Sequence, residues 1–142
     1  MKRAAVVEHA IDLQKLSQEV TSSECGATAV FVGTVRAENE GRPVTGIEYS
    51  AYREMAEREM TSILTEAEER FGIGRAVIEH RIGELAVGDA SIAVLVAHPH
   101  RGPALDALRY IVDETKARAT IWKLEHYTDG TREWVGAGGE KR

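Results

Sequence analysis

Residues 90–97, ASIAVLVA, form an almost continuously apolar run whose length suits a central strand better than a helix. A strand of that kind needs partner strands beside it and further elements to cover it, so it sets the problem the remaining sequence must solve. At 142 residues, with 43% hydrophobic and 29% charged positions, the chain fits one domain that buries a core without metals or disulfides. Three prolines leave little room for disordered linker, and no internal repeat is present.

Candidate partner strands lie on both sides of the run. Residues 26–35, GATAVFVGTV, are rich in β-branched side chains and bounded by glycine and charge, which predicts a largely buried strand ending at Arg36. The polar turn 37–42, AENEGR, leads into partial alternation over 43–52 through Val44, Ile47, Tyr49 and Ala51. The short loop between these two strands predicts an antiparallel pair with Arg36 near its open end. Residues 75–82 give a third strand, followed by the turn-rich GELAVGD at 83–89. Residues 120–127 alternate, with Ile121, Lys123, Glu125 and Tyr127 on one side and Trp122, Leu124 and His126 on the other. Asp129-Gly130 is a strong hairpin turn, and 131–135 return as its second strand; in some registers Trp122 and Trp134 face each other across it as packing residues.

Three helices complete the pattern. Residues 11–20 place Leu13, Leu16 and Val20 at spacings of three and four behind an Asp12 N-cap. Residues 53–71 are the longest, carrying Ala56, Met60, Ile63, Leu64, Ala67 and Phe71 at helical spacing and stopping at FGIG. The third helix, 103–119, follows the apolar run through the junction HPHRGP, with Gly102 expected at the N-cap and Pro103 at the first helical position. Its apolar face is expected to be Leu105, Leu108, Val112, Thr115 and Ala119, with Lys116 at the edge of the adjoining charged stripe and partly buried. The fold class is therefore α+β, a mainly antiparallel sheet flanked by helices, with one domain over 1–136 and a mobile tail at 137–142.

Net charge is −5, which disfavours nucleic acid as a partner and requires any anion to be bound by a local basic cluster. The lone Cys25 offers neither an internal disulfide nor paired zinc ligands and reads as an idle thiol. No apolar run reaches the length of a membrane span and the first seven residues lack a signal-peptide core, so no membrane partner and a reducing, cytoplasmic setting are expected. Gly138-Gly139 invites comparison with the diglycine end of ubiquitin-like carriers, but Glu140, Lys141 and Arg142 follow it, unlike a carrier's terminal glycine.

Two constellations could carry chemistry. In HPHRGP, Arg101 and the free N–H groups of a helix start favour an anion, although exposed basic residues at such positions are common. His98 and His100 could instead ligate a metal with His80 or His126 as a third ligand, or simply be hydrogen-bonded histidines. Lys116 and Lys123, seven residues apart on a helix and the next strand, are sharper: ammonium groups so placed can converge on one pocket. Partial burial there would make either amine usable as a nucleophile or proton-transfer group, the alternative being two solvated lysines.

The segments FVGTVR (31–36), HRIGEL with VGD (80–89), His100-Arg101, and KARATIWK leading to EHYTDGTREWVG (116–136) resemble, in order, the catalytic large subunit of molybdopterin synthase. That resemblance implies an α/β-hammerhead-like fold and sulfur transfer in molybdenum cofactor biosynthesis. Cyclic pyranopterin monophosphate (precursor Z) is converted to molybdopterin with sulfur from the C-terminal thiocarboxylate of a small ubiquitin-fold subunit. It also implies a large-subunit homodimer within a heterotetramer, and no metal or cofactor. Matched motif by motif, Arg36 is the substrate-binding arginine with Thr34 and Val35 beside it, and His100 and Arg101 contact the anion and pterin. Lys116 is the catalytic lysine, and Lys123 with Leu124 and Glu125 forms the second active-site lysine segment. Thr120 stands where such proteins often have proline, and Ala104-Leu105 where they often have Ala-Phe, which touches local packing. From the residues alone, a non-catalytic phosphate-ligand module and a metal-dependent hydrolase using His98 and His100 stay open.

Overall fold

The computed structural model describes residues 1–135. In chain order the elements are β1 (Lys2–Val7), α1 (Leu13–Val20), β2 (Ala27–Thr34), β3 (Glu38–Asn39), β4 (Arg42–Ala51), α2 (Arg53–Phe71), β5 (Arg75–Arg81), β6 (Gly83–Ala86), β7 (Ala90–His98), α3 (Arg101–Arg118), β8 (Ile121–Tyr127) and β9 (Arg132–Val135). The first sheet has the order β1-β5-β7-β2, and the second runs β3-β4-β8-β9 with β6 also paired to β4. Every pairing is antiparallel except β1 with β5.

Strand β7 is central, as its composition requires. Ile92, Val94 and Val96 enter the main core with Met60, Ile63 and Leu64 of α2 and Ala107 and Ile111 of α3. Ala93 and Leu95, on the opposite face, meet Leu16 and Val20 of α1. Both parities of the strand are covered by helices, which is why its sequence shows no polar alternation.

The expected hairpin between the strands at 26–35 and 43–52 does not form. Strand β2 pairs with β7, whereas β4 pairs with β6 and β8 in the second sheet. The intervening segment passes from one sheet to the other, held by Val35 N–H to Asp89 O at 3.0 Å and Val44 N–H to Ala37 O at 2.8 Å. A short connection thus joins two layers. Strands β1, β3 and β6 were not foreseen: β1 opens with two cations, β3 has two residues, and β6 lies within the stretch read as turn.

The helix ends follow local chemistry. The Asp12 carboxylate accepts from Lys15 N–H at 3.2 Å, and Gly72, with φ of 67°, ends α2 in the left-handed region. Helix α3 starts two residues earlier than expected, with His100 as its N-cap. Pro103 then falls within the first turn, whose N–H groups have no intrahelical partner to lose. The buried stripe of α3 is Ala104, Ala107, Ile111 and Thr115, and Leu105 is 57% exposed. Two alanines allow close approach to the sheet, so the packed face is rotated by one residue from the most hydrophobic one. Trp134 pairs with Leu124 instead of Trp122, whose ring lies 6.0 Å from that of Tyr52. The tail expected at 137–142, including Gly138-Gly139, lies outside the described residues. Among the described residues, no helix is long and apolar enough to cross a membrane.

Candidate active site

A cavity of about 310 Å³ opens among β2, β4, β7, β8 and the C-terminal end of α3. Thr34, Arg36, Lys116, Lys123 and Glu125 all line it, so five of the nine expected site residues converge. Lys116 comes from the last turns of α3 and Lys123 from β8. Between them the chain turns a corner at Ala119 and Thr120. Ala119 N–H bonds Thr115 O at 3.0 Å, and the Thr120 N–H and hydroxyl both donate to Glu59 Oε1, at 2.8 and 2.7 Å.

Lys116 is exposed, not partly buried as the helix arithmetic predicted: the buried stripe of α3 runs through Ala104, Ala107, Ile111 and Thr115, and position 116 lies outside it. Lys123 keeps 28% of its side chain accessible and sits 3.4 Å from Glu125 Oε2. Glu125 itself is 3% exposed. Its Oε1 accepts from Asn39 Nδ2 at 2.8 Å and from the Tyr127 hydroxyl at 2.7 Å, while Arg36 reaches Asn39 Oδ1 at 3.4 Å. A buried carboxylate with two donors and an ammonium is properly compensated, and the relay fixes Arg36 and Lys123 relative to each other. Burial, together with the hydrogen bond to Glu125, raises the Tyr127 phenol above its usual range.

The remaining wall is mixed: apolar Phe31, Ile92, Ile121 and Trp122 and the carboxylate of Glu38 stand beside polar, uncharged groups. Tyr49, His80, Ser91 and Thr115 line it, and the Tyr49 and His80 rings meet edge to face at 5.0 Å. His80 Nδ1 lies 2.9 Å from Arg81 O. A carbonyl only accepts, so Nδ1 carries the proton and Nε2 the lone pair. Burial, with a smaller contribution from the positive charge of Lys116, pushes the His80 imidazole down to about 4, leaving it neutral at neutral pH. Burial likewise raises the Tyr49 phenol, so its proton is retained.

Val35, Leu124, His100 and Arg101 do not line the cavity. Val35 packs with Val44, Ile47, Leu85 and Tyr127 in a separate core of the second sheet, and Leu124 projects from the face of β8 opposite Lys123. His100 and Arg101 are exposed at the start of α3. Fifteen helical residues separate Arg101 from Lys116, about 22 Å along the axis. His98 is buried with both ring nitrogens engaged: Nε2 with Phe71 O at 3.1 Å, and Nδ1 accepting from His100 N–H at 2.8 Å. The pair His98 and His100 therefore does not present two free imidazoles to a metal. On the face of the second sheet turned away from the cavity, Glu48, Glu84 and His126 bring potential ligand atoms within 4.8 Å of one another.

Sequence reasoning did not single out Asn39, Tyr49 or Ser91, and assigned His80 no place at the lysine pocket. Asn39 looked like one polar residue of a turn, and its role depends on Glu125, 86 positions away. His80 was marked by its place in the HRIGEL segment and as a possible third metal ligand, neither of which points to the lysines.

Residues 6–118 match the family model of the MoaE protein. The molybdopterin synthase catalytic subunit of Halalkalibacterium halodurans is 38% identical over 135 residues, covering 95% of this chain and 86% of that one. A crystal structure of molybdopterin synthase from Staphylococcus aureus superposes with a TM-score of 0.89 at 34% identity, covering 96% of this chain and 98% of that one. The complex of subunits 1 and 2 of molybdopterin-converting factor from Helicobacter pylori shares the fold, with a TM-score of 0.77 at 22% identity over 93% of this chain and 89% of that one. Together with a cationic cavity assembled from the same motifs that carry the resemblance, these matches establish that the chain belongs to the MoaE family of molybdopterin synthase catalytic subunits.

Proposed function

We propose that the cavity binds cyclic pyranopterin monophosphate and is where sulfur passes to it from the C-terminal thiocarboxylate of a small ubiquitin-fold subunit, yielding molybdopterin. The observation that carries this reading is the convergence of Arg36, Lys116 and Lys123 on one cavity whose wall also presents Tyr49, His80 and Ser91 among apolar side chains. Cations suit a phosphate and a thiocarboxylate, and the wall suits a polar heterocycle. Lys116 acts at the reacting carbon as acid-base group or transient nucleophile. Lys123, fixed by Glu125, stabilises developing negative charge and positions the thiocarboxylate.

Arg101 and His100 enter this reading through a second copy of the chain. One chain holds them about 22 Å along α3 from Lys116, too far to share a small phosphorylated ligand with it. A homodimer that brings the α3 N-terminus of one copy to the cavity of the other supplies the remaining anion contacts, within a heterotetramer completed by two small subunits.

The test is a single-turnover assay with precursor and thiocarboxylated small subunit. Wild-type protein is expected to form molybdopterin, and Lys116→Ala to lose turnover by about 10³-fold or more with its fold intact. Binding of precursor by the wild type without conversion would reduce the protein to a phosphate-ligand module.

A further inference from the structure

The cavity wall holds an uncharged polar group to which the proposed chemistry assigns no role. His80 is 7% exposed and lines the cavity together with Tyr49 and Lys116. Its Nδ1–H is committed to Arg81 O at 2.9 Å, and its ring is held edge-on by Tyr49 at 5.0 Å. These two contacts fix both tautomer and orientation. Nε2 is left with a lone pair and no hydrogen-bond partner among the described residues. A ring locked on one edge and unpartnered on the other presents a single, directional acceptor to whatever fills the space.

The carboxylates of Glu38 and Glu125 also line the cavity, and the cations and His80 differ in what they can bind. Arg36, Lys116 and Lys123 are pure donors suited to anionic oxygens. His80 Nε2 can only accept while the ring is neutral, so it complements an N–H or O–H donor and not a phosphate. A fused, N–H-bearing heterocycle that also carries a phosphate offers both chemistries at once.

We propose that His80 is a substrate-binding residue, whose Nε2 accepts a hydrogen bond from a ring N–H of the bound pyranopterin and so sets the orientation of the heterocycle. This rests on the substrate reading given above. Protonating or removing the acceptor leaves a ring donor unpaired in a desolvated site, so orientation is lost while the phosphate is still held.

Two substitutions separate this role from a structural one. His80→Asn keeps an amide near Nδ1 to bond Arg81 O but does not extend to the Nε2 position; His80→Gln carries an amide oxygen out to about that position. Calorimetric titration of the full chain with precursor, and separately with inorganic phosphate, is combined with thermal unfolding and KM and kcat for the synthase reaction. His80→Asn is expected to bind precursor about tenfold more weakly, equivalent to about 1.4 kcal/mol, with KM raised accordingly and phosphate binding unchanged. His80→Gln is expected to recover affinity to within about threefold of wild type. Wild-type affinity in His80→Asn overturns the proposal, and so does a parallel loss of precursor and phosphate affinity in both variants accompanied by a lowered melting temperature. Failure of the wild type itself to bind precursor overturns the substrate reading, and this assignment with it.

Discussion

Acidification should destabilise the fold through His80 before the Glu66 carboxylate titrates. In the unfolded chain this imidazole protonates near its ordinary value of 6.5, whereas in the folded protein it stays neutral down to about 4. The folded value is depressed, so the unfolded state binds the extra proton between these limits, and stability present above 6.5 is lost as pH falls towards 4. Each pH unit in that window costs about 1.4 kcal/mol, giving a loss of about 2 kcal/mol at pH 5. Glu66 titrates lower. Arg118, and secondarily Tyr110, hold its carboxyl down to about 2, so its contribution is present above 4.5 and is lost as pH falls from there. That pair is about one-third exposed and solvent-screened, and its window lies below that of His80. Urea unfolding at stepped pH, on wild type and on His80→Gln, isolates the effect: the variant should lose about 2 kcal/mol less than wild type between pH 7 and 5. Parallel curves for the two proteins would refute the assignment of a neutral, proton-resisting imidazole.

If the anion contacts come from a second copy, Lys116→Ala and Arg101→Ala proteins, each impaired alone, should recover about a quarter of wild-type turnover when mixed and allowed to exchange subunits; no recovery would mean that a single chain supplies both residues. Asn39→Ala removes a donor to buried Glu125 and should cost about 1–3 kcal/mol in chemical denaturation, with a larger effect on sulfur transfer than on precursor binding. Gly46→Ala puts a Cβ 2.8 Å from Leu85 O across the β4–β6 ladder, so a destabilisation of about 1–3 kcal/mol is expected by thermal unfolding.

Much of the secondary structure was legible because its determinants are local. The Asp12 cap, the Gly72 stop, the turn through Asp129-Gly130 and the uniform apolarity of β7 each act over a few residues. Pairing was not legible in the same way. Nothing within residues 26–52 shows that β2 seeks β7 while β4 seeks β8, since that choice depends on strands more than fifty positions downstream. The lysines could be singled out because they are close in sequence, whereas Asn39, Tyr49 and Ser91 enter the site only through the sheet-to-sheet crossing. The error over α3 has a simple origin: hydrophobicity named Leu105, but the fit of small side chains selected Ala104 and Ala107.

The corner at Ala119 and Thr120 works as the fixed jaw of a caliper. Helix α3 belongs to the first sheet's packing and β8 to the second sheet, so the gap between the two amines is set where those layers are fastened, at Glu59 on α2. Glu59 does not line the cavity. The spacing of the reactive groups can therefore be retuned by substitutions that leave every ligand-facing side chain in place, and sequence drift along α2 becomes a means of adjusting the rate without altering what is bound.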